Sequence, residues 1–305
     1  MDLAQIDDSS FAIIPERSER FAILDRKGAT RFTSVRGRGP CETTGITSLV
    51  VLNRNLIVVD AALSRVQRWS GDGHCLQERT VATHRLGKSW VVDGKVVIRA
   101  RRAVGATPTM LVLTDSLTVA DEVRLDDRGP SGRDGLCDYC RTSVTTRGDV
   151  VSLTMNDSLF RVVIRSLYAR GVRVIENSHI RPPVWTSSEK DSVRRFQLSL
   201  ASRQTDPRLA EALRQAALRF ELGPTKPLIY GLPVTAANSV FFPMSSPAGH
   251  PTSVLVLDSS TQTLRGSFAL GPGCRLLSVT LPRVWQYCVL DDGQSRVVVS
   301  SLLGI

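Results

Sequence analysis

A repeat of about 45 residues constrains this chain more than any other feature. Phe11-Ala-Ile-Ile14, a polar gap, Arg20-Phe-Ala-Ile-Leu-Asp25 and Lys27-Gly28 return 45 positions later as Leu56-Ile-Val-Val59, a gap, Arg65-Val-Gln-Arg-Trp-Ser70 and Asp72-Gly73. Each unit reads as a strand, a short polar loop, a second strand and a turn that ends in glycine. The pattern recurs with looser loops. Lys95–Ala100 precedes Thr109–Asp115, and Val150–Met155 precedes Leu159–Leu167. Ser239–Met244 precedes Ser253–Ser260, and Val284–Asp291 precedes Ser295–Leu303. Six copies are present.

A small antiparallel sheet of this kind has two faces to bury and cannot bury both alone. Stacking such sheets face to face around an axis solves the problem. Apolar stretches such as Thr47-Ser-Leu-Val-Val-Leu52 suit strands sandwiched between neighbours on both sides. The expected fold is all-β: a six-bladed β-propeller in which residues 1–305 form a single domain.

The interval between the fourth and fifth units is about twice the others, and its composition changes. Leu209, Leu213, Ala216, Ala217 and Phe220 recur at helical spacing. Asp206 suits an N-cap, Pro207 the first helical position and Gly223 a terminator. A helical insertion of one or two helices is expected at about 187–222, between blades four and five.

The 305 residues are 42% apolar, which fits a globular chain. No apolar run is long enough to cross a bilayer as a helix. The formal charge is +10, carried by arginine, because only Lys27, Lys88, Lys95, Lys190 and Lys226 are lysines. Those arginines are scattered without a cluster, so the charge favours a bland basic surface over a dedicated anionic partner. The six cysteines are too few for a disulfide scaffold in a chain this long, and their spacing fits no zinc pattern.

Arg36-Gly-Arg-Gly-Pro-Cys-Glu42, and Asn55-Leu-Ile-Val-Val-Asp60 with Arg65–Trp69 and Gly71-Asp-Gly73, carry a family resemblance. They resemble the inter-blade loop and following blade of bacterial six-bladed propellers of the NHL-like and TolB-like superfamily. Leu255-Val-Leu-Asp258 with Leu264-Arg-Gly266 is similar to another unit of that group, as is a helical insertion after Arg181-Pro-Pro183. Cys41 stands where the family has glycine, and Thr44 near where it has phenylalanine. The resemblance implies the fold and leaves the activity open.

Chemical motifs are sparse. Gly87-Lys88-Ser89 resembles the end of a phosphate loop, but Ala82 replaces the required glycine and strand-like Trp90-Val-Val92 follows. Cys137-x-x-Cys140 leads into an extended stretch, where residues three apart face opposite ways, so small structural thiols are expected. His74, His84, His179 and His250 share no catalytic spacing, and His74 is expected to be solvated. The pairs Asp7-Asp8, Asp126-Asp127 and Asp291-Asp292 fall at turns, where aspartate usually serves the turn itself.

The leading expectation is a non-enzymatic binding scaffold that presents rim loops to a protein, peptide or glycan, with no catalytic set, metal or cofactor. Pro15–Glu19, Arg36–Glu42, Arg99–Thr107 and Pro243–Thr252 form one rim, and Arg38, Glu42, Arg101, Arg102 and His250 are its candidate ligand-binding residues. The first alternative is a calcium-dependent lactonase-like hydrolase with oxygen ligands gathered from several blades. The second is a nucleic-acid-binding propeller of the NHL type.

Blade six is expected to have three strands and an open edge. Similar propellers commonly close with an N-terminal strand, so the expectation is that the reading frame starts late. Met1–Asp8 as written is no signal peptide. An upstream segment would supply the closing strand and place the protein in the periplasm or cell envelope.

Overall fold

The computed structural model describes every residue except 1, 16–18, 82–83, 104–105, 107, 125–141, 157–158, 170–171, 220, 230, 248–249, 291, 293 and 303–305. Its strands form six antiparallel sheets in chain order, each beginning with its inner strand. Blade one holds β1 (Asp2–Gln5), β2 (Ser10–Ile14), β3 (Ala22–Asp25) and β4 (Thr30–Thr33). Blade two holds β5 (Ile46–Leu52), β6 (Asn55–Asp60), β7 (Arg65–Trp69) and β8 (Cys75–Thr80). Blade three holds β9 (Arg85–Val92), β10 (Lys95–Arg101), β11 (Thr109–Leu113) and β12 (Val119–Arg124). Blade four holds β13 (Thr142–Val144), β14 (Asp149–Asn156), β15 (Leu159–Ser166) and β16 (Val172–Asn177). Blade five holds β17 (Val234–Ala236), β18 (Ser239–Pro243), β19 (Ser253–Asp258) and β20 (Thr263–Ala269). Blade six holds β21 (Cys274–Thr280), β22 (Arg283–Val289) and β23 (Ser295–Ser301), a three-stranded sheet among the described residues.

Burial follows position in the blade. The middle strand β6 is closed to solvent from Leu56 to Val59, because it has a neighbouring blade on each face. The outer strand β12 is largely exposed. Apolar side chains collect between blades, and burying one fully stabilises by about 1.5–3 kcal/mol. Ile57 and Val59 meet Ile98 and Leu111 between blades two and three. Phe160 of blade four meets Phe242 of blade five edge-on, with ring centroids 5.9 Å apart. The ring closes at a sixth seam, where Leu3 and Phe11 of blade one meet Leu277 and Trp285 of blade six. That seam has three buried apolar residues against twelve between blades two and three, so the closure is the thinnest part of the core.

The insertion is a helical hairpin between blades four and five: α1 (Ser187–Ser202) and α2 (Pro207–Arg219). Thr186 caps α1 in a reciprocal box with Glu189. The Asp206 carboxylate accepts the Arg208 N–H at 2.9 Å, which caps α2 as its position before Pro207 suggests. α2 stops at Arg219, short of Gly223. Lys226 ties the hairpin to the ring. Its Nζ meets the Glu189 carboxylate, donates to the Ser246 carbonyl at 2.8 Å and lies 5.6 Å from the Trp185 ring centroid.

The four cysteines among the described residues are paired, which their spacing did not reveal. Cys41 joins Cys75 across the blade-one to blade-two connection. Cys274 joins Cys288, directly opposite it in the β21–β22 register. Cys41 has a left-handed backbone, with φ of 58°, a conformation that glycine adopts most readily. Cys137 and Cys140 lie outside the described residues.

Candidate functional site: the central channel

The inner strands of all six blades converge on the axis and enclose a channel of about 910 Å³. Large side chains from six strands could not all fit there, so the inward positions are small or are folded along the wall. Ser89, Ser143, Thr235 and Ser278 bring hydroxyls to the wall from blades three, four, five and six. Val50, Val51, Leu276 and Leu277 supply apolar stretches between them.

The polar groups hold one another across blade boundaries. Lys88 Nζ donates to Asp2 Oδ1 at 2.6 Å, and the Leu49 N–H donates to Asp2 Oδ2 at 3.0 Å. Beneath them the Ser89 N–H and hydroxyl both donate to Ser48 Oγ at 3.0 Å. On the far side Trp90 Nε1 donates to Ser143 Oγ at 3.3 Å, and Ser143 Oγ donates to Thr235 Oγ1 at 3.5 Å. These polar groups are thus held by neighbouring blades, which fixes their directions. At the wall Arg275 lies over the Tyr287 ring, 4.6 Å from its centroid.

The five residues expected at the rim sit at one end of the ring. Blade-to-blade connections and second-to-third-strand loops share that end in antiparallel blades that begin with the inner strand. They do not converge on the channel wall. Arg38 is exposed, and its carbonyl accepts from Arg65 at 2.9 Å. Glu42 turns back on its own loop and accepts the Gly39 N–H at 2.6 Å. A Cβ at Gly37 would stand 2.0 Å from that carboxylate, so the glycine makes room for it. Arg101 ends β10 and is half-buried. Arg102 makes a two-pronged contact with Glu122, at 3.3 and 2.7 Å. The Arg102 hydrogen bond, with help from the charges of Arg102 and His84, holds the Glu122 carboxyl below the usual range. His250 is exposed in the β18–β19 loop.

Other motifs find local roles. Gly87-Lys88-Ser89 lies inside strand β9, not in a phosphate loop. His74 is exposed. Asp7 accepts the Ser9 N–H and hydroxyl at 2.7 and 2.8 Å and so serves its turn. Asp292 does the same for Gln294 at 2.9 Å. Asp126, Asp127 and Asp291 lie outside the described residues. Among the described residues no three His, Cys, Asp or Glu side chains come together as a metal site. Asp2, Lys88 and Trp90 were missed as site residues. The signal for them was a lysine in the middle of an inner strand, flanked by Leu86 and by Trp90-Val-Val92.

No family model matches the chain, and no curated protein matches it. A Bacteroides fragilis structure, provisionally assigned as an exported protein, is similar over 92% of this chain and 77% of that one, at 11% identity and a TM-score of 0.50. A protein of unknown function from Bacteroides caccae is similar over 88% of this chain and 81% of that one, at 12% identity and a TM-score of 0.46. A catalytically inactive virginiamycin B lyase from Staphylococcus aureus, crystallised with quinupristin, is similar over 97% and 82%, at 9% identity and a TM-score of 0.49. Identities this low speak to fold alone, and the fold they accompany is plain in the topology. The chain is a six-bladed β-propeller.

Proposed function

We propose that this propeller is a non-enzymatic binding scaffold whose ligand, a protein segment, peptide or glycan, is received at the channel mouth. The observation that carries the reading is the channel of about 910 Å³, walled by all six inner strands. That volume lies in the range of ligand sites, and its polar groups are preorganised by contacts between blades. Arg38, Arg101, Arg102 and His250 frame the rim above it, and Glu42 holds the shape of one rim loop. The Arg36–Glu42 loop and the buried Asp60 support kinship with the NHL-like and TolB-like propellers. The two disulfides support a periplasmic or cell-envelope setting, because such bonds persist in oxidising compartments.

The test is equilibrium binding to immobilised glycan and peptide panels. Saturable binding is expected. It should fall about tenfold, or about 1.4 kcal/mol, in Arg275→Ala or in a variant with alanine at all five rim positions. Unchanged binding in both variants would overturn the assignment to this mouth. Metal-dependent turnover in a screen of lactones and esters would replace the scaffold reading with a hydrolase.

A further inference from the structure

The helical hairpin buries little of itself. Among the described residues each helix has one buried residue, Ala201 in α1 and Ala217 in α2, and these mark the line along which the two helices meet. Two helices side by side cannot cover the apolar stripes of both, because each stripe is wider than the one contact. Counted round from that line at 3.6 residues per turn, Phe196 and Leu200 of α1 and Leu209 and Ala216 of α2 fall on one side of the hairpin. Phe196 is 53% exposed, Leu200 37% and Leu209 47%. Asp191, Glu211 and Arg214 fall on the opposite side.

Arginine borders this apolar side. Arg203 at the end of α1, Arg208 at the start of α2 and Arg219 at its end flank it, and all three are exposed. Among the described residues none of them is paired with a carboxylate. The carboxylates nearby are engaged. Glu189 holds Lys226, and Asp206 accepts the Arg208 and Leu209 N–H groups at 2.9 and 3.4 Å. The outer strand β16 runs toward the blade-to-blade end of the ring, so the hairpin stands at the same end as Arg38 and Arg102. Lys226 anchors its base there to the Ser246 carbonyl.

We propose that the hairpin docks this end of the ring on an anionic lipid surface. Phe196, Leu200 and Leu209 enter the boundary between headgroups and acyl chains, and Arg203, Arg208 and Arg219 reach the phosphates around them. The exposed side chains call for a surface that offers apolar depth and negative charge together, which is the profile of such a bilayer. A second copy of the hairpin would instead set arginine against arginine. Among the described residues no helix is long and apolar enough to cross a membrane, so the contact is interfacial. The surface is separate from the channel and does not depend on what the channel binds.

The test is cosedimentation of the intact protein with phosphatidylcholine vesicles, plain or carrying roughly one third phosphatidylglycerol. Partitioning is expected to be about tenfold stronger onto the anionic vesicles and to weaken as salt rises. Phe196→Ser with Leu200→Ser and Leu209→Ser should reduce it about tenfold, and so should Arg203→Gln with Arg208→Gln and Arg219→Gln. Removing the same charge from exposed positions at the other end of the ring, by Arg26→Gln, Lys95→Gln and Arg147→Gln, should change it little. Phe196→Trp should gain quenching by bromine-labelled lipid over the unmodified protein. Should a triple variant misfold, the two vesicle types and the quenching still decide. No binding at low salt, equal binding to both vesicles, equal losses in the two charge variants, or no gain in quenching would each overturn the proposal. So would a concentration-dependent dimer broken by the serine variant, since the occupant would then be a second copy.

Discussion

Lys88 of blade three donates to the carboxylate of Asp2 in blade one at 2.6 Å, reaching past the inner strand of blade two. The other oxygen of the same carboxylate takes the Leu49 N–H of that intervening strand. One short side chain therefore ties three of the six blades at the channel. Asp2 is 14% exposed at its side chain and Lys88 is 23%, so the pair is only partly screened by water. Lys88→Met should cost about 1–3 kcal/mol, because it strands a mostly buried carboxylate. Thermal unfolding of Lys88→Met, Asp2→Asn and the double variant checks this. Strict additivity of the two losses would show that the pair does not act as a unit.

Asp60 is closed to solvent at the end of β6. Its carboxylate accepts the N–H groups of Thr44, Gly45 and Leu63 at 2.7, 3.2 and 3.1 Å. It thereby fixes both the entry into blade two and the turn after β6. Asp60→Ala leaves these donors without their acceptor and should cost about 2–4 kcal/mol. Asp60→Asn keeps one acceptor oxygen and should lose less. Denaturant midpoints for the two variants give the comparison, and equal stability in all three proteins would refute it.

The Cys41–Cys75 bond, with a sequence separation of 34, closes a loop that holds β5, β6 and β7 of blade two. By loop-closure entropy it should contribute about 3–4 kcal/mol. The paired Cys41→Ser, Cys75→Ser variant should unfold at lower denaturant, and reductant should then have less further effect. Peptide mapping without reduction should recover Cys41 with Cys75 and Cys274 with Cys288.

The helical hairpin should be acid-sensitive. The hydrogen bond from Lys226 is the main cause that holds the Glu189 carboxyl below the usual carboxylate range, with the Thr186 backbone adding to it. A carboxyl whose pKa is lowered by folding stabilises the fold above its unfolded value, and that contribution fades as pH falls through the folded value. The tether is therefore present at neutral pH and is lost only as pH falls below the ordinary carboxylate range. Proteolysis within residues 187–222 should quicken over that acid range. Glu189→Gln should show quick cleavage already at neutral pH and no further step in acid.

Much of this architecture could be read from the chain before any coordinates. The order of the blades and the Asp206-Pro207 helix start rest on local signals. Alternation of period two, glycine turns and caps act over a few residues, so their meaning does not wait for the rest of the fold. The rim residues were placed at one end by the same reasoning, since strand direction follows from strand order. Their side-chain roles were not legible. Glu42 turns inward on Gly37 and Gly39, and Arg102 is engaged by Glu122 on another strand.

The repeat by itself determined that the chain would build six like sheets, because each unit has apolar faces that only another unit can cover. Ring closure decided the rest. It brought Asp2 to Lys88, 86 positions away, and aligned the hydroxyls of Ser89, Ser143 and Thr235 on one wall. It paired Cys41 with Cys75. These meetings depend on how far each blade turns about the axis relative to the last. That angle is set by packing summed over the whole ring and is written in no short stretch of sequence.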